Sequence, residues 1–198
     1  MKTKEDVVEE FRKQSICDAA MRVVGRKGLH NVTVQDIAAE AGVAKGTIYL
    51  YFDSREAIIA YAKELAMEEL RGKLAAACDS CHTFREKLER RVRTQLEHFD
   101  ENRDFFRMYL AISEPSGEKR LRKEPSYCAF IEQLESILRE AMKSGEVRRF
   151  PLNRLAEAMT SVVRDITLNR IIEKDPPPID DDVAFAVDFL LRGIGQPS

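Results

Sequence analysis

Apolar residues recur every three to four positions along most of the 198-residue chain, and this spacing constrains the fold more than any other feature. Ile16, Ala19, Ala20 and Val23 form the first such stripe. Only 9 glycines and 7 prolines interrupt the pattern, and no useful length of sequence alternates apolar and polar residues as a half-buried strand does. The sequence therefore predicts an all-α fold of about nine helices.

Helix-breaking residues set the predicted boundaries. Gly28 and Gly42 end helices, the prolines 176–178 break the chain, and Asp53 and Ser54 both suit the start of a helix. A charged segment, residues 114–125, reads as a solvated loop. The predicted helices cover about residues 7–27, 34–41, 45–51, 55–81, 83–100, 102–113, 126–143, 151–174 and 180–192.

The charge balance gives only weak information about partners. The formal net charge is −2, and residues 1–55 carry nine Lys/Arg against eight Asp/Glu, so charge alone does not indicate a nucleic-acid partner. An apolar run of about 18 residues, which a membrane-spanning helix needs, is missing, as is an apolar signal-peptide core. These features predict a cytoplasmic protein whose 4 cysteines are reduced thiols.

Residues 33–52 have the pattern of a helix-turn-helix. Two short helices that cross steeply need small residues where they touch, and Ala38 lies at that point. Gly42 allows the sharp turn, and Ile37 and Ile48 anchor the two helices to the preceding one. The second short helix is then free to present its polar N-terminal end to the major groove of DNA.

This segment resembles the TetR family of repressors. About a dozen positions agree without a gap over roughly residues 10–70. One departure is Arg55, where family members often carry Lys, but both side chains are cations that bind phosphate. The matching residues are Ala19, Ala20, Gly28, Thr33, Ile37, Ala38, Ala41, Gly42, Val43, Gly46, Tyr49, Tyr51, Phe52, Ser54 and Glu56.

The resemblance implies a DNA-binding domain over residues 1–54 and an effector-binding and dimerisation domain over residues 55–198. It also implies a homodimer on a pseudo-palindromic operator in double-stranded DNA. A small ligand in the second domain would change the spacing of the two reading heads and release the DNA. Family resemblance favours a repressor, with an activator as the alternative, and no cofactor is implied.

The candidate DNA contacts lie in and beside the motif. Tyr49 and Tyr51 are two residues apart and do not share a helix face, whereas Ile48 and Phe52 are four apart and suit the core. Tyr49 is therefore a candidate for base or phosphate contact, and Tyr51 for phosphate contact. The full set of candidates is Thr33, Lys45, Gly46, Thr47, Tyr49, Tyr51, Ser54 and Arg55.

The last two predicted helices are apolar on more than one face. Residues at offsets 0, 4, 7 and 11 form one stripe on each helix, and Phe185 and Phe189 add a further face. Since a helix in a monomer needs only one apolar face, the surplus indicates burial against a second subunit. The candidate interface residues are Leu155, Val162, Ile166, Val183, Val187, Leu190 and Ile194.

The middle of the chain is rich in large aromatic and methionine side chains, more so than packing alone requires. They predict a mostly apolar pocket for a hydrophobic or amphipathic effector, with Tyr109, Tyr127, Arg164 or Asn169 fixing its orientation. The candidate pocket residues are Phe99, Phe105, Phe106, Met108, Tyr109, Tyr127, Phe130, Met142, Met159, Arg164 and Asn169.

Two features of the sequence allow more than one interpretation. Cys78, Cys81 and His82 are compatible with a metal or redox site, but also with Cys81 continuing an apolar helix stripe as a small hydrophobe. Arg164 and Arg170 lie in an otherwise apolar helix, so they line a polar end of the pocket or pair across the dimer.

Two rival classes of function have little support. No nucleophile or acid–base arrangement of an enzyme is recognisable, so the sequence predicts a protein without catalytic residues. A protein-interaction module that retains the motif only as a scaffold would not need Lys45, Thr47, Tyr49 and Arg55.

Overall fold

The computed structural model describes residues 3–28, 31–112 and 125–194, apart from the side chains of Met108, Tyr109, Ala111, Ile112, Pro125 and Ser126. The described residues form nine α-helices and no strand, which confirms the predicted all-α class. Within these ranges, no helix is both long and apolar enough to cross a bilayer. The predicted loop at residues 114–125 lies almost wholly outside the described residues.

The helices follow one another as α1 (Lys4–Lys27), α2 (Val34–Glu40), α3 (Lys45–Ile48), α4 (Arg55–Cys78), α5 (Phe84–Glu101), α6 (Arg103–Ile112), α7 (Pro125–Ser144), α8 (Leu152–Ile172) and α9 (Ile179–Ile194).

Three helices begin with the same reciprocal cap, in which a threonine hydroxyl accepts a backbone N–H and an acidic side chain three residues on accepts the threonine N–H. Thr3 caps α1, Thr33 caps α2 and Thr83 caps α5. The cap at Thr3 explains why α1 begins at Lys4 and not near Val7 as predicted. At α4, Ser54 and not Asp53 provides the cap, since the Ser54 hydroxyl accepts from Ala57 N at 3.1 Å.

Two predicted helix ends were wrong. The helix α3 ends at Ile48 instead of Tyr51, because Tyr51 N and Phe52 N both turn back to the Ile48 carbonyl, at 3.0 Å each. The helix α4 ends at Cys78, and Cys81 N closes a turn onto the Cys78 carbonyl at 3.1 Å. Cys81 therefore does not continue the α4 stripe as predicted.

The chain divides into two compact units. The first contains the chain as far as Glu68 together with the segment that begins at Asp104. Its helices α1, α2 and α3 pack in sequence, and its buried residues are almost entirely apolar. Ile16, Ile37 and Ile48, one from each helix, are all fully or almost fully buried.

The second unit contains Glu69–Arg103 and the chain from α7 to the C-terminus. Helix α5 packs against α7, α8 and α9, and α8 also packs against α7 and α9. The shared core is apolar at Leu96, Leu138 and Ala156, yet several buried side chains in this unit are polar or charged. These are Arg91, Gln95, His98, Thr160, Thr167 and Arg170.

Candidate nucleic-acid interface and effector region

The turn between α2 and α3 is held by backbone hydrogen bonds. Ala41 N donates to the Ile37 carbonyl at 2.9 Å, and Val43 N donates to the Ala38 carbonyl at 3.0 Å. Gly42 between them has φ +67°, a left-handed conformation that glycine adopts without strain. Ala38 is fully buried, which allows the close crossing that the sequence predicted.

The short helix α3 has one buried and one exposed side. Ile48 is fully buried, whereas Lys45 and Gly46 are exposed and Tyr49, directly after the helix, is 49% exposed. The Lys45 ammonium lies over the Tyr49 ring, 6.0 Å from its centroid. Among the described residues Lys45 forms no ion pair. A cation and a half-exposed aromatic ring therefore stand together on the solvent side.

The described residues around position 46 do not require a glycine there. A Cβ built at this position meets no heavy atom within 4 Å, and its φ is not positive. The absence of a side chain leaves the α3 backbone open to close approach from outside. This geometry suits a backbone that sits against a nucleic-acid strand.

The remaining candidate DNA contacts surround α3. Thr33 is exposed, and Thr47, Tyr51, Ser54 and Arg55 are half-buried. Arg55 donates from Nη1 to the Val32 carbonyl at 3.1 Å and contacts Glu56 at 2.7 Å. Part of its guanidinium therefore holds the segment before α2, which the sequence did not suggest.

Three cations of α1 are paired with acidic side chains of α2. Lys27 Nζ lies 2.6 Å from a carboxylate oxygen of Asp36. This ion pair, together with the hydrogen bonds that Asp36 accepts from Thr33, lowers the pKa of Asp36 to about 2. Arg26 and Arg22 both bind Glu40 and lower its pKa to about 2. These pairs tie α1 to α2 and leave Lys45 as a cation that faces solvent.

Comparison with known proteins agrees with this geometry. Residues 16–62 match the family model for bacterial regulatory proteins of the tetR family. The fatty acid metabolism regulator protein of Bacillus subtilis is 30% identical over 165 residues, which cover 81% of this chain and 83% of that protein. The chain belongs to the TetR family.

Other relatives extend the similarity to nearly the whole chain. The HTH-type transcriptional regulator BetI of Brucella canis is 24% identical over 196 residues, 96% of each chain. Among solved structures, FadR from Bacillus subtilis in complex with stearoyl-CoA has a TM-score of 0.77 at 23% identity and covers 91% of this chain and 98% of its own. At that identity it shows the shared fold.

Membership of the TetR family confirms the predicted class of function. The protein is a DNA-binding transcriptional regulator. Among the described residues, no group of three or more His, Cys, Asp or Glu is arranged to hold a metal ion. These relatives are named as regulators.

The candidate effector residues of this TetR-family regulator divide between the two units. Phe105 and Phe106 are buried in the first unit, with ring centroids 5.3 Å apart. The side chains of Met108 and Tyr109 lie outside the described residues. In the second unit Phe99, Tyr127, Phe130, Met142 and Arg164 are half-buried, Met159 is buried, and Asn169 is exposed.

An apolar groove lies between α8 and α9 in the second unit, with a volume of about 530 Å³. Phe185 and Phe189 stack beside it at 6.0 Å between centroids, and they are 59% and 55% exposed. Most of the candidate dimer residues form its floor or the core beneath it. Leu155, Val183, Val187, Leu190 and Ile194 are buried within the chain, and Val162 and Ile166 are half-buried.

Arg170 forms its ion pairs inside the chain. Its Nη2 lies 2.6 Å from Asp100 and its Nη1 lies 2.5 Å from Asp182 and 2.8 Å from the Pro177 carbonyl. Arg170 thus joins α5, α8 and the start of α9 within one subunit, so neither suggested role, in the pocket or across a dimer, is needed to explain it.

The sequence reasoning missed the buried polar residues of α5. Arg91 and Gln95 follow Leu88 at offsets of three and seven, which places them on the core face of the helix. The spacing that places these polar residues on the same helix face as the apolar ones could have indicated that they are buried.

Proposed function

We propose that this protein is a homodimeric repressor whose α3 region binds the major groove of a pseudo-palindromic operator, and that a hydrophobic or amphipathic effector releases it. The observation that carries the DNA contacts is the two-sided α3 region. Ile48 is buried in the unit, while Lys45, Gly46 and Tyr49 face solvent. Thr47, with phosphate contacts from Thr33, Tyr51, Ser54 and Arg55, completes the proposed surface.

Two domains follow from this assignment. We place DNA binding in residues 1–54 and effector binding and dimerisation in residues 55–198. Helix α4 contributes to both compact units, because its residues as far as Glu68 belong to the first and the rest to the second. Displacement of α4 by an effector is therefore a direct route to altered spacing of the two reading heads.

The proposed dimer uses the outer faces of α8 and α9. The groove there is apolar, and two stacked phenylalanines in the middle of a water-exposed helix face would be costly to leave uncovered. A second copy that covers this groove buries both rings. Phe189→Glu should give a monomer, while Phe150→Ala, which removes a ring elsewhere in the unit, should not. Sedimentation of the wild type as a monomer at micromolar concentration would refute the dimer.

The proposed effector site lies in the second unit, near Phe99, Tyr127, Phe130 and Arg164. Support for an amphipathic effector comes from these side chains and from the Bacillus subtilis FadR, whose structure holds stearoyl-CoA. We also propose that the protein has no catalytic role, in keeping with relatives that are regulators.

The DNA assignment is tested by operator binding at two salt concentrations. Tyr49→Ala should weaken binding to the native promoter DNA by about 1–3 kcal/mol. Lys45→Ala should reduce the slope of log affinity against log salt by about 1, because one phosphate contact is lost. Phe150→Ala is the control in the second unit. Wild-type affinity for Tyr49→Ala at both salt concentrations would contradict the proposed surface.

A further inference from the structure

Arg91 is a cation enclosed within the second unit. The residue is 6% exposed, and it lies on α5 between the end of α4 and the helix α7. Its Nη1 donates to Gln133 Oε1 at 3.1 Å, and the guanidinium lies over the Phe130 ring at 5.3 Å. Its Nη2 is buried and has no hydrogen-bond partner among the described residues.

The neighbours of Arg91 do not neutralise its charge. Gln133 is a neutral amide, and among the described residues Arg91 forms no ion pair. The third neighbour is the Cys78 thiol, whose pKa is raised by burial, so the sulfur stays protonated near neutral pH. An aromatic ring, an amide and a thiol surround a full positive charge.

Arg170, in the same unit, shows how this fold compensates a structural arginine. It is 4% exposed and contacts two carboxylates, Asp100 and Asp182. A buried charge without such compensation is costly, and an apolar side chain of similar volume is usually more stable in its place. In the described part of the chain Arg91 has no carboxylate partner, so an ion pair like that of Arg170 does not explain its burial.

The α7 side of Arg91 is the side from which a ligand could reach it. Phe130 and Gln133 are both half-buried, whereas Arg91 is buried beneath them. Rotation of these two side chains would expose the free Nη2 without moving the fully buried core residue Leu138 of the same helix. Phe130 would then offer its ring to an apolar group next to the cation.

We propose that Arg91 is the anchor for the carboxylate head group of an amphipathic effector, with Nη2 donating to the carboxylate and Phe130 packing against the adjoining carbon chain. Guanidinium and carboxylate are complementary in charge and planar geometry. The inference rests on the proposed effector-binding role of the second unit and specifies the chemistry of its ligand.

The first test compares decanoate with 1-decanol, which share a chain and differ in head group. Calorimetric titration of the full-length protein should show the carboxylate bound roughly ten- to a hundredfold more tightly than the alcohol. Arg91→Met keeps the volume and removes the charge, so it should abolish this preference while the ligand-free melting temperature stays equal or rises. Arg90→Met, an exposed neighbour on α5, should behave as wild type.

A second variant keeps the test decisive if Arg91→Met does not fold. Gln133→Glu places a carboxylate at the atom that already accepts from Arg91 Nη1, so it should neutralise the guanidinium, stabilise the free protein and weaken the preference for decanoate over 1-decanol by repelling a second carboxylate. Retention of the wild-type carboxylate preference by Gln133→Glu would overturn the proposal. A lower melting temperature of Arg91→Met would also overturn it, since it would mean that the charge already stabilises the ligand-free protein.

The results of these tests distinguish a failure of the Arg91 anchor from a failure of the proposed effector-released repressor. Release of operator DNA by 1-decanol and decanoate alike, unchanged in Arg91→Met, would leave the effector-released repressor intact and remove the anchor. Arg91-dependent binding of decanoate that leaves operator affinity unchanged would retain the anchor and contradict the proposed release. Failure of the wild type to bind decanoate at millimolar concentration would also remove the anchor.

Discussion

The two units place their polar side chains in opposite ways. In the first unit Lys63 is the only buried polar side chain among the described residues, and the charged side chains of α1 and α2 pair at the surface or face solvent. In the second unit Arg91, Gln95, Thr160, Thr167 and Arg170 are all buried. A surface that binds a polyanion needs cations outside a rigid apolar core. A pocket for a small molecule needs its polar groups inside.

This difference indicates that different kinds of interaction stabilise the two units. The first unit depends on a few fully buried aliphatic residues and on helix caps at its surface. The second unit combines an apolar core with internal hydrogen bonds such as Gln95 Nε2 to Thr167 Oγ1 at 3.1 Å. Substitutions of buried polar side chains and of buried apolar side chains therefore test whether the two units are stabilised differently.

The largest effect is expected at the buried ion pairs of the second unit. Arg170→Met leaves Asp100 and Asp182 without their shared cation and should lower the free energy of unfolding by about 3–5 kcal/mol. Chemical denaturation monitored by circular dichroism measures it. Arg139→Met, at an ion pair with Glu135 on the surface of α7, is the control and should cost at most about 1 kcal/mol. Similar losses in both variants would mean that burial does not distinguish these pairs.

A smaller effect is expected from aliphatic truncation in the cores. Ile48→Ala in the first unit and Leu138→Ala in the second each remove a fully buried side chain and should cost about 2–5 kcal/mol. Only Ile48→Ala should also weaken operator binding, because Ile48 fixes the α3 backbone on which Lys45 and Tyr49 are displayed. Anisotropy titration with operator DNA measures this second effect. Equal DNA affinity of the two variants would contradict the separation of roles.

The smallest effect is expected from the surface ion pairs of the first unit at low pH. The folded-state pKa values of Asp36 and Glu40 are about 2, below their ordinary values of 3.8 and 4.5. Their contribution to stability is therefore complete above about pH 4.5 and is lost as the pH falls towards 2. Because both carboxylates are exposed, solvent and salt screen the effect and keep it modest.

Thermal unfolding between pH 6 and pH 2 checks this expectation. Asp36→Asn and Glu40→Gln should each flatten the dependence of melting temperature on pH in that window. Asp53→Asn, at an exposed carboxylate that has no ion pair within the described ranges, should leave the profile as in the wild type. A wild-type slope in both test variants would show that the pairs of α1 with α2 contribute nothing measurable.

The sequence by itself determined the helical class, the helix-turn-helix and most helix positions, because these depend on local rules. Apolar spacing, the Thr33 cap and the glycine at the turn act within a few residues of one another. The same local rules failed at helix ends, where alternatives differ little in energy. Helix α3 ended at Ile48, before Tyr51, and α4 ended at Cys78, before Cys81.

Only the tertiary structure decided which charges are compensated. Arg91 and Arg170 are each a cation within an amphipathic helix. Arg170 contacts two carboxylates, from α5 and α9, whereas Arg91 contacts an amide and an aromatic ring. Asp100 lies 70 residues from Arg170 along the chain, and Gln133 lies 42 residues from Arg91. Such partners are chosen by how helices pack in three dimensions, and apolar periodicity does not encode them.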